Sequence, residues 1–244
     1  MNRLIQISLA SLAFVSAHES VAITNGRTVS EAETPQIVHI LSPDIDCTGV
    51  VVGTGIILTA DHCLSRKGPA AMLVNGQQVI DIFVPTPEEN QRTKLDLLLL
   101  RVPKEVTQDV LPIRRIPLPH HSIEVMIMGY GNAYAPGLPV KIDTSSTKRA
   151  GLNILVNDPK VRNESYFNLR FEPGPFDRAK PSGALPGDSG GPMVYENAVV
   201  GIASKSFPVV SSAFGISNYT NILSARSFRF LEEARAKGWS IRFQ

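Results

Sequence analysis

The chain has 244 residues, of which 43% are hydrophobic and 19% are charged, and its formal net charge is +2. This composition is that of a globular protein large enough to bury a sizeable core, and it excludes a disordered chain. Because no long basic or acidic run is present, we expect neither nucleic acid nor an anionic membrane as a partner.

The first residues are typical of an export signal. Arg3 provides a short basic start, and residues 4–15 are mostly apolar or small. This stretch is too short for a membrane anchor, which needs about 20 apolar residues. We predict a signal peptide at 1–22, or a signal at 1–17 followed by a pro-segment at 18–22, and hence a secreted or periplasmic protein. A buried N-terminal helix is the alternative.

The chain has two cysteines, Cys47 and Cys63. An even number in an exported chain predicts one disulfide that closes a short loop, with two buried free thiols as the alternative. His120 and His121 lie in a proline-flanked turn, where a solvated loop is expected rather than a metal site. We expect no metal and no cofactor.

Short apolar runs separated by turn residues indicate an all-β barrel or sandwich. One helical pattern, at 227–237, ends before Gly238. Asn75-Gly76 is a turn signal between two of the runs. The predicted strands are 36–41, 49–58, 71–74, 79–84, 97–102, 125–129, 152–156, 193–195 and 199–203.

A glycine-rich segment carries the strongest chemical signal: residues 187–192 read GDSGGP. A serine hydroxyl attacks a carbonyl only when a base takes its proton, and the oxyanion that forms needs donors already aimed at it. Glycines let the backbone turn tightly, so the N–H groups of Gly187 and Ser189 are the candidate donors. A short Gly/Ser turn is the alternative, but the six-residue string is much more specific.

Two further segments supply a base and an acid. Residues 58–63 read LTADHC, in which His62 is the candidate general base, and Asp96 precedes four consecutive leucines. A partly buried aspartate can hold the imidazole tautomer. A structural histidine and a turn-forming or salt-bridged aspartate are the alternatives. No motif surrounds Asp81, and Asp61 should point away from His62 because neighbouring side chains on extended backbone alternate.

Together these motifs resemble those of the chymotrypsin/trypsin-like serine proteases, which read TAAHC, D-I-A-L-L and GDSGGP. Other similarities extend over most of the chain: GYG at 129–131, GIAS at 201–204 and YTN at 219–221. The resemblance implies two six-stranded antiparallel β-barrels with a C-terminal helix, in which 23–118 and 119–244 form one peptidase domain.

The resemblance also assigns a site in the cleft between the barrels. It implies His62, Asp96 and Ser189 as catalytic residues, Gly187 and Ser189 as the oxyanion hole, and a disulfide between Cys47 and Cys63. No metal takes part in this mechanism.

An activation step is implied as well, because residues 23–26, ITNG, resemble the family's mature N-terminus IVGG. In the family a cut frees an ammonium group, here that of Ile23, which pairs with the aspartate before the serine, here Asp188. A buried carboxylate needs such a partner; a local turn bond is the alternative. Ala22 is not basic, so we expect signal peptidase to release Ile23 directly; a cut after Ala17 is the rival.

The expected substrate pocket departs from that of trypsin-like members. Those carry an acid six residues before the serine, whereas this chain has Gly183 there, beside Ser182. Lys205 and Ser206 follow Ser204 where the family usually has tryptophan and glycine. Without an acid to pair with a buried cation, we expect no strong preference for Arg or Lys.

The expected function is a monomeric, secreted serine endopeptidase that acts on proteins or peptides, with a protein inhibitor as a possible further partner. A catalytically silent homologue that acts as a binding module is the alternative. An esterase with a G-x-S-x-G elbow is excluded, because that fold places its histidine after the serine and no histidine follows Ser189.

Overall fold

The computed structural model describes residues 23–86, 95–104, 109–131, 147–158, 164–172, 179–208 and 214–244. These residues form two curled antiparallel sheets of seven strands each and one α-helix near the C-terminus. The predicted all-β, chymotrypsin-like fold class is confirmed. Each sheet has seven strands rather than six; two of the strands in the first sheet and one in the second are only two residues long. The predicted leader at 1–22 lies outside the described residues.

Strand β1 (Arg27–Thr28) belongs to the second sheet, and the next seven strands form the first sheet in the order β6-β5-β2-β3-β4-β8-β7. These are β2 (Ile37–Ser42), β3 (Ile45–Gly53), β4 (Ile56–Thr59), β5 (Leu73–Val74), β6 (Gln77–Gln78), β7 (Asp81–Phe83) and β8 (Leu98–Arg101).

The second sheet has the order β1-β10-β9-β12-β13-β14-β11. Its remaining strands are β9 (Ser122–Gly129), β10 (Arg149–Val156), β11 (Tyr166–Phe171), β12 (Pro192–Tyr195), β13 (Ala198–Pro208) and β14 (Gly215–Asn221).

Local chemistry explains where the strands turn. The run 49–58, predicted as one strand, is a hairpin in which β3 ends at Gly53 and β4 begins at Ile56. The prediction was wrong because both strands are buried and only two residues, Thr54 and Gly55, separate them. The predicted Asn75-Gly76 turn is confirmed: both residues have positive φ, 46° and 82°, which a two-residue hairpin turn requires.

The described segments near both ends of the chain pack against the more distant sheet. The C-terminal helix follows a strand of the second sheet but packs against the first, whereas β1 precedes the strands of the first sheet but belongs to the second. Helix α1 (Ala225–Ala236) begins two residues before its predicted start, where the Ser224 hydroxyl accepts the Ser227 N–H at 3.1 Å and caps it. Its buried residues Phe230 and Leu231 pack into the core of the first sheet. At the other end, β1 pairs with β10 of the second sheet. No helix within the described ranges is long and apolar enough to cross a membrane.

The predicted disulfide between Cys47 and Cys63 is confirmed. Cys47 lies in β3, and Cys63 ends a 3-10 turn at Asp61–Cys63 that follows β4. Both sulfur-bearing residues are buried in the first core. The bond therefore ties the segment that carries His62 to the central strand of its sheet.

We expect replacement of both cysteines, Cys47→Ala with Cys63→Ala, to lower the free energy of unfolding by about 3 kcal/mol. The bond spans a sequence separation of 16 residues, and removing it restores the loop entropy of the unfolded chain. Urea unfolding at neutral pH measures the change. Wild-type protein unfolded with a reductant present serves as the control and should match the variant; equal stability of oxidised wild type and variant would contradict the prediction.

Candidate active site

His62 and Asp96 form a close pair. Nδ1 of His62 lies 2.8 Å from Oδ2 and 3.0 Å from Oδ1 of Asp96, and the backbone N–H of His62 donates to Oδ1 at 3.1 Å. Because a carboxylate faces Nδ1, a neutral imidazole carries its proton there and leaves Nε2 free to accept one. The ring is 45% exposed, so that nitrogen can meet a substrate or a nucleophile.

Asp96 is buried just before β8, but residues of the second sheet complete its surroundings. The Ser204 hydroxyl of β13 donates to Oδ2 at 2.5 Å, and the Thr220 hydroxyl of β14 donates to the Asp96 carbonyl at 3.4 Å. Burial acts to raise the pKa of Asp96, but hydrogen bonds and charge attraction from His62, with the Ser204 bond, hold the pKa below its ordinary value. The carboxylate therefore stays ionised beside the imidazole.

The loop that carries Ser189 is fastened to the strand and turn that present His62. The Ser189 carbonyl accepts the Thr48 N–H at 2.8 Å and lies 3.7 Å from Sγ of Cys63. The Thr48 hydroxyl donates to the Gly187 carbonyl at 3.0 Å. The structure thus brings the predicted serine and histidine segments together across the seam between the sheets.

The N–H groups of Gly187 and Ser189 find no hydrogen-bond acceptor among the residues that the structure describes. The neighbouring donors are occupied: Gly190 N–H bonds the Ala203 carbonyl at 2.8 Å and Gly191 N–H bonds the Asp188 carbonyl at 2.9 Å. These internal bonds fix the loop while leaving the two predicted donors unused.

Asp188 is fully buried and accepts backbone N–H groups from both near and distant residues. Oδ2 accepts from Leu185 at 2.8 Å and from Ile23 at 3.1 Å, and Oδ1 accepts from Gly131 at 2.7 Å. Burial raises the pKa of Asp188 to about 6, and these bonds offset only part of that effect. The charge of Asp46 also raises the pKa. Asp188 therefore makes both the local bond and the contact with residue 23.

The packing of the Asp188 side chain explains why residues 129 and 131 are glycines. A Cβ on Gly129 would lie 2.2 Å from Oδ1 of Asp188, and a Cβ on Gly131 would lie 2.6 Å from its Cγ. No side chain fits at either position while Asp188 is in place. The segment therefore forms a wall around the buried acid.

A family model described as Trypsin matches residues 23–227, most of the chain. The chain belongs to the trypsin family. Similar proteins include a serine protease, SP24D, of Anopheles gambiae, which is 28% identical over 203 residues, 76% of this chain and 72% of that protein. Granzyme B(G,H) of Mus musculus is 24% identical over 247 residues, 90% and 96% of the two chains. A protein of Corynebacterium glutamicum named as an uncharacterized peptidase is 23% identical over 211 residues, 85% and 71%.

A cleft of about 570 Å³ opens beside His62 in this trypsin-family protein. Two of the five predicted pocket residues, Ser204 and Lys205, line it, together with Leu95 and Tyr166. Tyr166, at the start of β11, carries no motif and could not have been selected from the sequence. His62 and two residues of β13 therefore line the same cleft.

The other predicted pocket residues lie outside this cleft. Ser182 is buried, and its N–H bonds the Leu152 carbonyl at 2.8 Å. The Gly183 carbonyl accepts the Thr24 N–H at 2.9 Å, which places Gly183 beside the N-terminal segment. Ser206 is half-buried and pairs with Ser217 of β14.

Sequence reasoning missed Asp61 as a member of the site. The turn Asp61–Cys63 is a 3-10 helix rather than extended backbone, so the rule that neighbours point apart does not apply, and Asp61 lines the same cleft as His62. Burial raises the pKa of Asp61, and the nearby charge of Asp96 raises it further. The only available signal was the aspartate in TADHC where the family has alanine.

The pKa of Asp188 gives the free energy of unfolding a pH dependence while Ile23 remains in a peptide bond. The folded protein then holds a proton on Asp188 up to about pH 6, against an ordinary pKa of 3.8. Because the folded state binds this proton more tightly than the unfolded state, this group makes stability fall as pH rises from about 4 to about 6. We expect Asp188→Asn to remove that slope, about 3 kcal/mol at 1.36 kcal/mol per pKa unit.

Urea unfolding of a chain that starts upstream of residue 23, measured across this pH range, tests the expectation. Asp109→Asn, which removes an exposed carboxyl, is the control and should keep the slope. An identical slope in wild type and Asp188→Asn would contradict it.

Proposed function

We propose that this trypsin-family chain is an exported serine endopeptidase that cleaves proteins or peptides through an acyl-enzyme. Ser189 is the nucleophile, His62 the general base and Asp96 the group that orients and stabilises the imidazole. The observation that carries the proposal is the contact of His62 Nδ1 with the Asp96 carboxylate at 2.8 Å, beside the loop that presents Ser189.

In the first half-reaction, Oγ of Ser189 attacks the scissile carbonyl carbon while Nε2 of His62 takes the hydroxyl proton. The imidazolium that forms is stabilised by the ionised Asp96, whose own pKa lies below its ordinary value. The imidazolium then gives the proton to the leaving amine as the peptide C–N bond breaks. The acyl group remains on Ser189 as an ester.

The second half-reaction repeats this with water. His62 takes a proton from the water as its oxygen attacks the ester, and returns the proton to Oγ of Ser189 as the acid product leaves. In both steps the carbonyl oxygen becomes an oxyanion. The unused N–H groups of Gly187 and Ser189 supply the donors that it requires, and they are fixed before the reaction begins.

Activation in this proposal is the release of Ile23 as a new N-terminus. Ile23 is fully buried, and its backbone nitrogen lies 3.1 Å from the Asp188 carboxylate. An ammonium at that nitrogen would pair with the ionised carboxylate, whereas an amide leaves a buried charge without a counter-ion. The pairing would favour the carboxylate form and so the loop geometry that aims the Gly187 and Ser189 donors.

The export route remains the sequence-based proposal of a signal ending at residue 22 or residue 17, supported by the buried disulfide, which is typical of oxidising compartments. A monomeric state and regulation by a protein inhibitor are further expectations of the same proposal. The absence of an acid at Gly183 supports the expectation of no strong Arg or Lys preference.

A fluorophosphonate probe should label protein that begins at Ile23, and Ser189→Ala should abolish labelling. Asp96→Asn should slow peptide hydrolysis by about 10³- to 10⁴-fold, because the imidazole loses its orienting charge. Gel fluorescence of labelled protein and a peptide-cleavage assay measure the two effects. Ser122→Ala, which removes an exposed serine, is the control and should label normally.

Labelling retained by Ser189→Ala would contradict the assignment of the nucleophile. No labelling of folded protein with a free Ile23 terminus would support the silent binding-module alternative.

Direct release by signal peptidase makes a separate prediction. Protein recovered after export from an expressing host should begin at Ile23, as read from its intact mass, because the residue before it is Ala22 rather than a basic residue. A chain made to start at Ile23 without export supplies the reference mass. A terminus at His18 in fully active protein would contradict both the direct release and the need for the Ile23 ammonium.

A further inference from the structure

The ring of Phe171 occupies the space in front of Gly183. Phe171 ends β11 and is fully buried. A Cβ built on Gly183 would lie 2.1 Å from Cγ and 2.2 Å from Cδ1 of this ring, and a Cβ on Gly215 would lie 2.3 Å from its Cζ. The ring therefore lies against both glycine backbones, and neither position can carry a side chain while it is there.

A second contact spans the same space. Ser217 of β14 is fully buried, and its hydroxyl accepts the Ala184 N–H at 2.9 Å. Within the sheet, Ser217 also pairs with Ser206 of the neighbouring strand β13. The Ser217 side chain thus joins the segment after Gly183 to the strand pair that passes Asp96.

These contacts lie near the segment that leads to Ser189 and near the strand that contacts Asp96. The segment 182–189 ends at Ser189, and β13 contacts Asp96 through Ser204, so the space between them adjoins the nucleophile. A scissile carbonyl must come within about 3 Å of Oγ of Ser189. If the side chain of the residue that carries this carbonyl enters the space between segment 182–189 and β13, Phe171 and Ser217 close the inner end of that space.

We propose that Phe171, with Ser217, restricts this enzyme to small side chains, those of Gly, Ala and Ser, on the acyl side of the scissile bond. The inference rests on the proposed peptidase function and specifies its substrate class. A larger side chain would have to displace a fully buried ring that lies against two glycine backbones, or break the bond between Ser217 and Ala184.

The test compares kcat/KM for short peptide amides that differ only in the acyl-side residue: Ala, Leu, Phe or Arg. Wild-type protein should prefer Ala over Phe by ~10-fold or more, the scale on which an apolar pocket discriminates size. Phe171→Ala should raise kcat/KM for the Leu and Phe peptides by ~10-fold or more relative to the Ala peptide. Phe171→Leu, which keeps more of the buried side chain, should shift the preference in the same direction.

Phe167→Ala is the matched control. Phe167 lies on the same strand, is buried on the same face and pairs with Tyr219, but the atoms nearest to a Cβ on Gly183 or Gly215 all belong to Phe171. Its loss removes an equal ring from the core and should leave the ratio of Phe to Ala peptides unchanged. An equal shift in both variants would overturn the proposal, because the effect would then be a general loosening of the core.

A pair of variants tests the position of the ring more directly. Gly183→Asp alone should not create cleavage after Arg, because the ring occupies the space. Combined with Phe171→Ala, the same aspartate gains room and should pair with an arginine side chain, so cleavage of the Arg peptide should appear. Cleavage after Arg by Gly183→Asp alone would overturn the proposal.

Fluorophosphonate labelling separates the two levels of inference. If no variant and no wild-type protein is labelled, the peptidase function itself fails. If the proteins are labelled but wild type cleaves after Phe as readily as after Ala, or Phe171→Ala and Phe171→Leu keep the wild-type preference, the function stands and the role of Phe171 is wrong.

Discussion

The architecture of the site depends on one buried carboxylate. Asp188 has no exposed surface, and its two oxygens bind backbone N–H groups from three separate segments, those of Ile23, Leu185 and Gly131. Burying a charge is costly unless it is paired and hydrogen-bonded, so these hydrogen bonds fix the positions of all three segments around the carboxylate. The same constraint excludes a side chain at Gly129. The conformation of the loop that carries Ser189 therefore depends on Asp188, the residue directly before it.

The two sheets each supply an incomplete half of the site, and the seam between them completes it. The first sheet presents His62 on a turn held by the disulfide, and Asp96 just before a buried strand. The second sheet adds the Ser204 hydroxyl that lowers the pKa of Asp96 and the loop that carries Ser189. Thr48 joins the halves through both its N–H and its hydroxyl. A substitution that breaks contacts between the two sheets should therefore affect the chemistry of the site more than it affects the fold of either sheet.

The fold class and the contacts of His62, Asp96 and Asp188 could be predicted because family motifs mark those residues. The hairpin at residues 49–58 was missed because only two residues, Thr54 and Gly55, separate two strands that are otherwise buried and apolar. Tyr166 and Phe171 could not either: β11 alternates buried and exposed residues without a motif, and its partner strand decides where its aromatic rings point. The specificity that we propose thus rests on Phe171, a residue that no local sequence pattern distinguishes.

Two carboxylates adjoin His62, and their surroundings give them opposite properties. Asp96 receives hydrogen bonds from His62 and Ser204, so its pKa is lowered despite its burial. Asp61 is half-buried in the cleft, and its pKa is raised by burial and by the charge of Asp96. Groups whose surroundings push their pKa values apart take different roles in one site. Asp96 therefore remains the charged partner of the imidazole over a range of pH in which Asp61 can take up a proton and present a neutral group to the cleft.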